Sequence, residues 1–322
     1  MNKTCENVKL VLAPLADFTD APFRKMCFDF GADMAYTEMV SAAALAHGHA
    51  ATRILMESLP GEGPLGCQIF GANPSDVANA AKIVSLPQFC EINLNAGCPM
   101  DKVTRSGAGA KLAESPEKVY ELLVAIKENT SLPVTLKTRL GPNPHKTTVF
   151  ELVDAAYRAG CSGVTIHARW TSQLHGGDTH LDLLAEAVRR SPIPVTGNGS
   201  IHTRNDLEAM LATGIDAVMI GRAAIAEPEI FSLLRGKRKE PPSMERARRL
   251  FTSHMGYLID FHAKLVAHLT GCRIPDLNQF VTLKARTHLS RYFAGTPGAA
   301  AIRASFNTAK TIADILAILD SL

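Results

Sequence analysis

Cys98 is the residue best suited to chemistry in this chain. It lies in NAGCPMDKVTRSGAGAKL, residues 95–112, a glycine-rich stretch with proline directly after the cysteine. A thiol with an ordinary pKa of about 8.5 holds its proton at neutral pH and can donate it to carbon. A nucleophilic role would need a base aimed at the sulfur, and no obvious His–Asp relay accompanies it. Other polar candidates close short apolar runs: Glu38, Gln68, Asn95, Lys137 and Arg139, His167 and Arg169. Two glycine-bearing stretches complete the set, Gly197-Asn198-Gly199-Ser200 and Gly221-Arg222. Gly199 and Gly221 let backbone N–H groups approach a phosphate closely, and Arg222 adds a forked positive charge. Gln68 offers donor and acceptor together, which suits the mixed edge of a flavin ring, and Lys137 would place charge near the ring's pyrimidine end. No Asp, Glu or His cluster suits a divalent metal, and none of the seven cysteines is spaced CxxC, so no metal is expected. Singly, each has a plainer explanation. A strand-end lysine is often just solvated, and a turn glycine often serves the backbone alone.

The elements that must hold these residues alternate. Apolar, β-rich runs cover 9–13, 34–37, 65–70, 91–95, 134–137, 164–167, 195–198 and 217–220. Helical patterns lie between them, at 21–30, 42–49, 74–84, 116–129, 149–159, 181–190 and 203–213. Asn73-Pro74 and Ser115-Pro116 read as a cap followed by a first-turn proline, and Gly31, Gly160 and Gly214 as helix stops. Eight strands alternating with helices predict an α/β (β/α)8 TIM barrel, with a doubly wound open sheet as the competitor. In the barrel the polar strand ends gather on one face. Residues 1–235 are expected to form it. After a charged Pro-Pro linker come helical patterns at 244–269, 277–294 and 299–322, which predict a small all-helical C-terminal domain over 236–322.

With 322 residues, 46% hydrophobic and 20% charged, the chain is neither disordered, collagen-like nor a disulfide-stapled miniprotein. No run approaches the roughly 18 apolar residues of a membrane span, and MNKTCENVKLVLAP lacks the apolar segment of a signal peptide. Together with the cysteine usage, this predicts a cytoplasmic setting. The net charge is only +3, yet residues 240–322 hold ten basic against six acidic residues. That makes the tail the better candidate for an anionic partner.

In order along the chain, APLADFTDAPFR (13–24), TEMVS (37–41), QIFGANP (68–74), INLNAGCPMDKV (92–103), GAGAKL (107–112), LKTRLG (136–141), IHAR (166–169), GNGSI (197–201) and MIGRAA (219–224) resemble the dihydrouridine synthases, flavin enzymes that reduce uridine in RNA. The resemblance implies an FMN-bound barrel, NADPH as electron donor, tRNA as substrate and a monomeric enzyme. It places FMN against Pro14, Leu15, Ala16, Gln68, Lys137, His167, Asn198, Gly199, Ser200, Gly221 and Arg222. It makes Cys98 the acid and sets Asn95 and Arg139 near the target base. Asp17 stands where the family more often has Gly, Ser200 where Asp is common, and Trp170 where Thr is usual; the loop 171–180 is also unusual. These departures bear on which RNA position is modified. In the tail, Lys284, Arg286, His288 and Arg291 fall in VTLKARTHLSRYF; Lys284, His288 and Arg291 share one helical face, with Leu283, Leu289 and Phe293 expected toward the core. That face, with Arg286 nearby, is the expected RNA platform. The competing functions are reduction of another RNA such as rRNA, an FMN oxidoreductase for a free pyrimidine, and a non-catalytic RNA-binding barrel.

Overall fold

The computed structural model describes residues 3–237 and 239–322. Among these residues nine strands, all parallel, lie at β1 (Lys9–Leu12), β2 (Met34–Tyr36), β3 (Val40–Ser41), β4 (Leu65–Phe70), β5 (Phe89–Ala96), β6 (Val134–Arg139), β7 (Gly163–His167), β8 (Val195–Asn198) and β9 (Ala217–Ile220). β1 pairs with β9, and β2 pairs with both β1 and β4, so eight strands close into a barrel while the two-residue β3 hangs on β4. The strands are buried almost throughout, as parallel strands covered by helices must be.

The surrounding helices are α1 (Ala21–Asp29), α2 (Ala42–Ala46), α3 (Pro74–Val84), α4 (Asp101–Thr104), α5 (Pro116–Lys127), α6 (Val149–Arg158), α7 (Leu181–Arg190), α8 (Arg204–Leu211), α9 (Ala223–Ala226) and α10 (Ile230–Leu234). Asn73 caps α3 through its side chain as expected, but Ser115 makes no side-chain cap on α5. The helix expected over 42–49 stops at Ala46, and a 3-10 turn over Ala50–Met56 follows.

The C-terminal helices are α11 (Met244–His268), α12 (Leu277–Thr287), α13 (Ala299–Thr308) and α14 (Ile312–Asp320). Two expected long helices are divided. The 277–294 pattern breaks at His288, whose buried ring bonds Ile225 O at 3.0 Å, and a 3-10 turn over Leu289–Phe293 follows. The 299–322 pattern breaks at Ala309, and the Thr311–Asp314 capping box starts α14. Apolar periodicity persists through both breaks, which is why the sequence reads as continuous. One apolar core runs from barrel to helices, bringing Phe23 and Met26 together with Phe251 and Met255. Among the described residues no helix is long and apolar enough to cross a membrane.

Under α1 lies a buried ion pair. Arg24 Nε meets Glu62 Oε2 at 2.7 Å, and the guanidinium also bonds Thr19 O and Glu57 O. Arg24→Met would leave the Glu62 carboxylate buried without its cation. We expect a loss of about 3 kcal/mol in unfolding free energy, measured by denaturant titration.

Candidate active site

The barrel interior carries a continuous polar ladder. Glu91, Asn93 and Asn95 alternate along β5 and so point to one face. Thr135 Oγ1 donates to Glu91 at 2.7 Å, Asn93 Nδ2 to Thr135 Oγ1 at 2.8 Å, Gln68 Nε2 to Asn93 Oδ1 at 2.8 Å and Asn95 Nδ2 to Gln68 Oε1 at 2.8 Å. The last rung reaches the thiol-bearing loop: Asn95 Oδ1 accepts from Gly97 N at 3.1 Å and Cys98 N at 2.9 Å. The thiol-bearing loop is thus hung from the barrel's own interior. Its far side rests on the glycine-rich stretch, where Ala110 N donates to Cys98 O at 2.8 Å. Gly109, at φ +60°, comes so close that a Cβ there would stand 2.6 Å from Cys98 O.

Cys98 opens onto a cavity of about 530 Å³ at the C-terminal ends of the strands. Pro14, Leu15 and Ala16 after β1 line it, with Asn95, Lys137, Arg139, His167, Asn198, Gly199, Ser200, Gly221 and Arg222. Arg291 reaches it from the helical domain. Gln68 does not line it; both ends of its fully buried amide are taken by the ladder. Lys284 and Arg286 are likewise absent from the wall.

The expected RNA face is corrected by the fold. Lys284 turns inward onto Asp20 at 2.6 Å, Arg286 donates to Ala309 O, and His288 is fully buried. Leu283, expected in the core, is 56% exposed. Because α12 ends at Thr287, helical spacing no longer relates Arg291 to Lys284. Arg286 and Arg291 remain exposed, the Arg291 guanidinium 5.3 Å from the Phe18 ring centroid.

Charge in the cavity is one-sided. Lys137, Arg139, Arg169, Arg222 and Arg291 line it, and among its described lining residues Asp17 is the only carboxylate. Burial, then the neighbouring Arg139, brings the Lys137 ammonium down to about 7; it donates to Asn198 Oδ1 at 3.2 Å. Burial and the same cations hold His167 well below 6.5. Partial withdrawal from water, then Arg139 and its neighbours, bring His175 to about 4. Burial pushes the Cys98 thiol up, which keeps its proton on sulfur. Among the described residues no hydrogen bond joins Cys98 Sγ to an imidazole, so the sulfur has no base to activate it as a nucleophile.

Two arginines act as struts. Arg139 Nε bonds Gly97 O at 2.9 Å and its Nη1 bonds Trp170 O at 3.2 Å, tying the Cys98 loop to the loop after β7. Arg169 bonds Gly177 O and Ser200 Oγ, both at 2.7 Å, tying that loop to the one after β8. Arg169 stands two residues beyond His167 just as Arg139 stands two beyond Lys137, a repeated spacing that marks it as a site residue. His175 carries no such signal; only the fold of 171–177 brings it to the cavity, with Arg222 bonding its carbonyl at 3.2 Å.

The dihydrouridine synthase (Dus) profile matches residues 11–321. The chain belongs to the dihydrouridine synthase family. It is 31% identical to tRNA-dihydrouridine synthase B of Salmonella typhimurium (strain LT2) over 97% of this chain and 95% of that protein. It is 33% identical to tRNA-dihydrouridine synthase B of Proteus vulgaris, over 97% and 94%. It is 36% identical to the probable tRNA-dihydrouridine synthase of Treponema pallidum (strain Nichols), over 68% of each. Among solved structures, morphinone reductase superposes with a TM-score of 0.51 at 14% identity, over 75% of this chain and 90% of that one, a likeness of fold. Among the described residues Asp17 and Ser200 are two of the three non-glycine residues at positive φ, 70° and 52°, so both sit where the backbone turns left-handed.

Two of the cavity's histidines, His167 and His175, should stay neutral from about pH 6 to 8, since each folded pKa lies below that window. Imidazole carbon-bound proton shifts of His167 and His175, followed by NMR across that range, should be flat. A sigmoidal shift centred near 6.5 would refute the electrostatic picture.

Proposed function

We propose that this chain is a tRNA-dihydrouridine synthase that reduces the 5,6 double bond of uridines in tRNA, with FMN as its flavin and NADPH as electron donor. One observation carries the reading. A proton-holding thiol and a belt of cations with almost no opposing carboxylate face the same cavity. A flavin mononucleotide fits that belt. Its phosphate supplies the missing negative charge, and an ammonium buried without a carboxylate, as at Lys137, is stabilised by an anion beside it. The cavity volume is also within the range of about 300–1,000 Å³ common for cofactor sites.

In this reading Pro14, Leu15, Ala16, Lys137, Asn198, Gly199, Ser200, Gly221 and Arg222 hold the flavin, with His167 beside it. Gln68 acts from beneath, through Asn95. When bound, FMN supplies the two-electron reducing chemistry that no side chain can. The chain's own contribution is the proton. Saturating the double bond requires one at carbon 5 of the base, and Cys98 gives it from Sγ. Its raised pKa favours a donor over a thiolate, and general acid catalysis of this kind contributes about 10²–10⁴-fold. Neutral His167 and His175 can hydrogen-bond the base or flavin without adding charge. Arg139 serves mainly by fixing the Cys98 loop, since two of its guanidinium nitrogens are already engaged. The target uridine must leave its stack to reach the thiol. We assign residues 1–235 to catalysis and 236–322 to RNA recognition, with Arg291 at the boundary, in a monomeric cytoplasmic enzyme.

The deciding experiment incubates purified protein, NADPH and unmodified tRNA, and reads the mass of each uridine. A gain of two hydrogens in tRNA, absent with free uridine and with rRNA, is expected; the converse would favour one of the competing substrates. Cys98→Ala should leave NADPH-driven flavin reduction close to normal but slow tRNA reduction by about 10²-fold or more, resolved by stopped-flow absorbance of the two half-reactions. Equal rates on tRNA would remove Cys98 from the mechanism. Gly199→Val should give colourless protein. Gly199 has φ +133°, and a Cβ there would stand 2.8 Å from Thr179 Cγ2 and 3.1 Å from His167 Cδ2. Full flavin content in that variant would displace the proposed pocket.

A further inference from the structure

We propose that Lys284, from the helical domain, is a positioning residue for the cavity loop Pro14–Phe18, holding it in the shape that receives the cofactor. The inference rests on the flavin reading above. Lys284 is the fourth residue from the end of α12, and its side chain is only 15% exposed. The ammonium makes two contacts, Asp20 Oδ2 at 2.6 Å and the backbone carbonyl of Asp17 at 2.8 Å. The first could be an ordinary interdomain ion pair. The second reaches into the cavity wall itself, because Asp17 lines it beside Pro14, Leu15 and Ala16.

Asp17 is an unusual residue to hold. Its φ is +70°, a left-handed conformation in which an L side chain crowds the backbone and glycine does not. The peptide groups on its two sides are gripped separately. Glu38 Oε2 accepts from Asp17 N at 2.6 Å, while Lys284 donates to Asp17 O. The two grips are electrically linked. Glu38 and Asp20 are both carboxylates, and burial followed by Asp20 raises Glu38 to about 7 while Lys284 opposes the rise. Removing the ammonium therefore frees the carbonyl and also leaves two carboxylates facing each other without a cation between them.

The same stretch of the helical domain meets the loop twice more. The His288 ring lies edge-on to Phe18 at 5.1 Å, and the Arg291 guanidinium stands over it at 5.3 Å. Three side chains from the helical domain thus fix a five-residue cavity loop. Of the three, only Lys284 bonds the strained residue's own backbone. A glycine at position 17 would adopt the left-handed turn unaided and should need the clamp less.

The test compares Lys284→Met in the wild-type and Asp17→Gly backgrounds, reading the FMN dissociation constant by flavin fluorescence and the melting temperature of each protein. Loss of a charge-assisted bond to the strained carbonyl should weaken FMN binding about tenfold in the wild-type background. In the Asp17→Gly background the same substitution should cost less than about threefold, a coupling that a purely structural ion pair would not produce. Equal losses in the two backgrounds, or no loss in the first, would overturn the proposal. If Lys284→Met does not fold, Lys284→Gln, which keeps a donor and loses the charge, takes its place in the same comparison. The two failures can be told apart. A wild-type protein that binds no FMN overturns the flavin reading and the clamp with it; a flavin-binding wild type with an insensitive Lys284 variant overturns the clamp alone.

Discussion

The structure depends on one constraint, that every buried amide inside the barrel must find a partner. Gln68 and Asn93 are fully enclosed, where an unpaired polar group costs about 1–3 kcal/mol. The register of β4, β5 and β6 answers this by setting Gln68 beside Asn93 and Asn93 beside Thr135. The bonds then run in one direction up the barrel, from Glu91 to Asn95, and end on the backbone N–H of Cys98. A polar network of this kind specifies one arrangement because each member has its partners used up. The Cys98 loop inherits that uniqueness.

Above the ladder, the strand ends divide their labour. Lys137 and His167 face the cavity, while the arginines two residues further on, Arg139 and Arg169, turn to the backbone of neighbouring loops. Guanidinium groups suit this task because several fixed donors can bridge carbonyls on separate segments. The loops around the thiol are therefore not independent. The segment after β7 is joined to the Cys98 loop on one side and to Ser200 on the other, and Arg222 holds it at His175.

Much of this was legible in the residues. Parallel strands buried on both faces read as apolar runs, so all eight barrel strands could be located, and polar residues closing those runs had to meet at one end. Gln68 shows where that reasoning stops. Its position predicts a cavity-facing amide, but alternation along β5 also sends Asn93 and Asn95 inward, and the three consume one another. The tail shows a second limit. Apolar spacing in VTLKARTHLSRYF continues across His288, so nothing local marks the turn there; the break comes from a carbonyl at Ile225, 63 residues earlier. The same long-range packing draws Lys284 inward to Asp20, a contact that charge and helical period could not anticipate.

The cation belt has a consequence for the life of the protein. Lys137, Arg139, Arg169, Arg222 and Arg291 share one concave wall with a single carboxylate among its described residues, and their mutual repulsion raises the free energy of the folded chain. An anionic ligand that enters relieves this strain and binds only the folded form, so occupancy and folding are thermodynamically linked. Chains synthesised when flavin is scarce would spend a larger fraction of time unfolded and within reach of proteases. Cellular abundance of this synthase would then follow vitamin supply, with the cofactor acting as quality control on the enzyme that uses it.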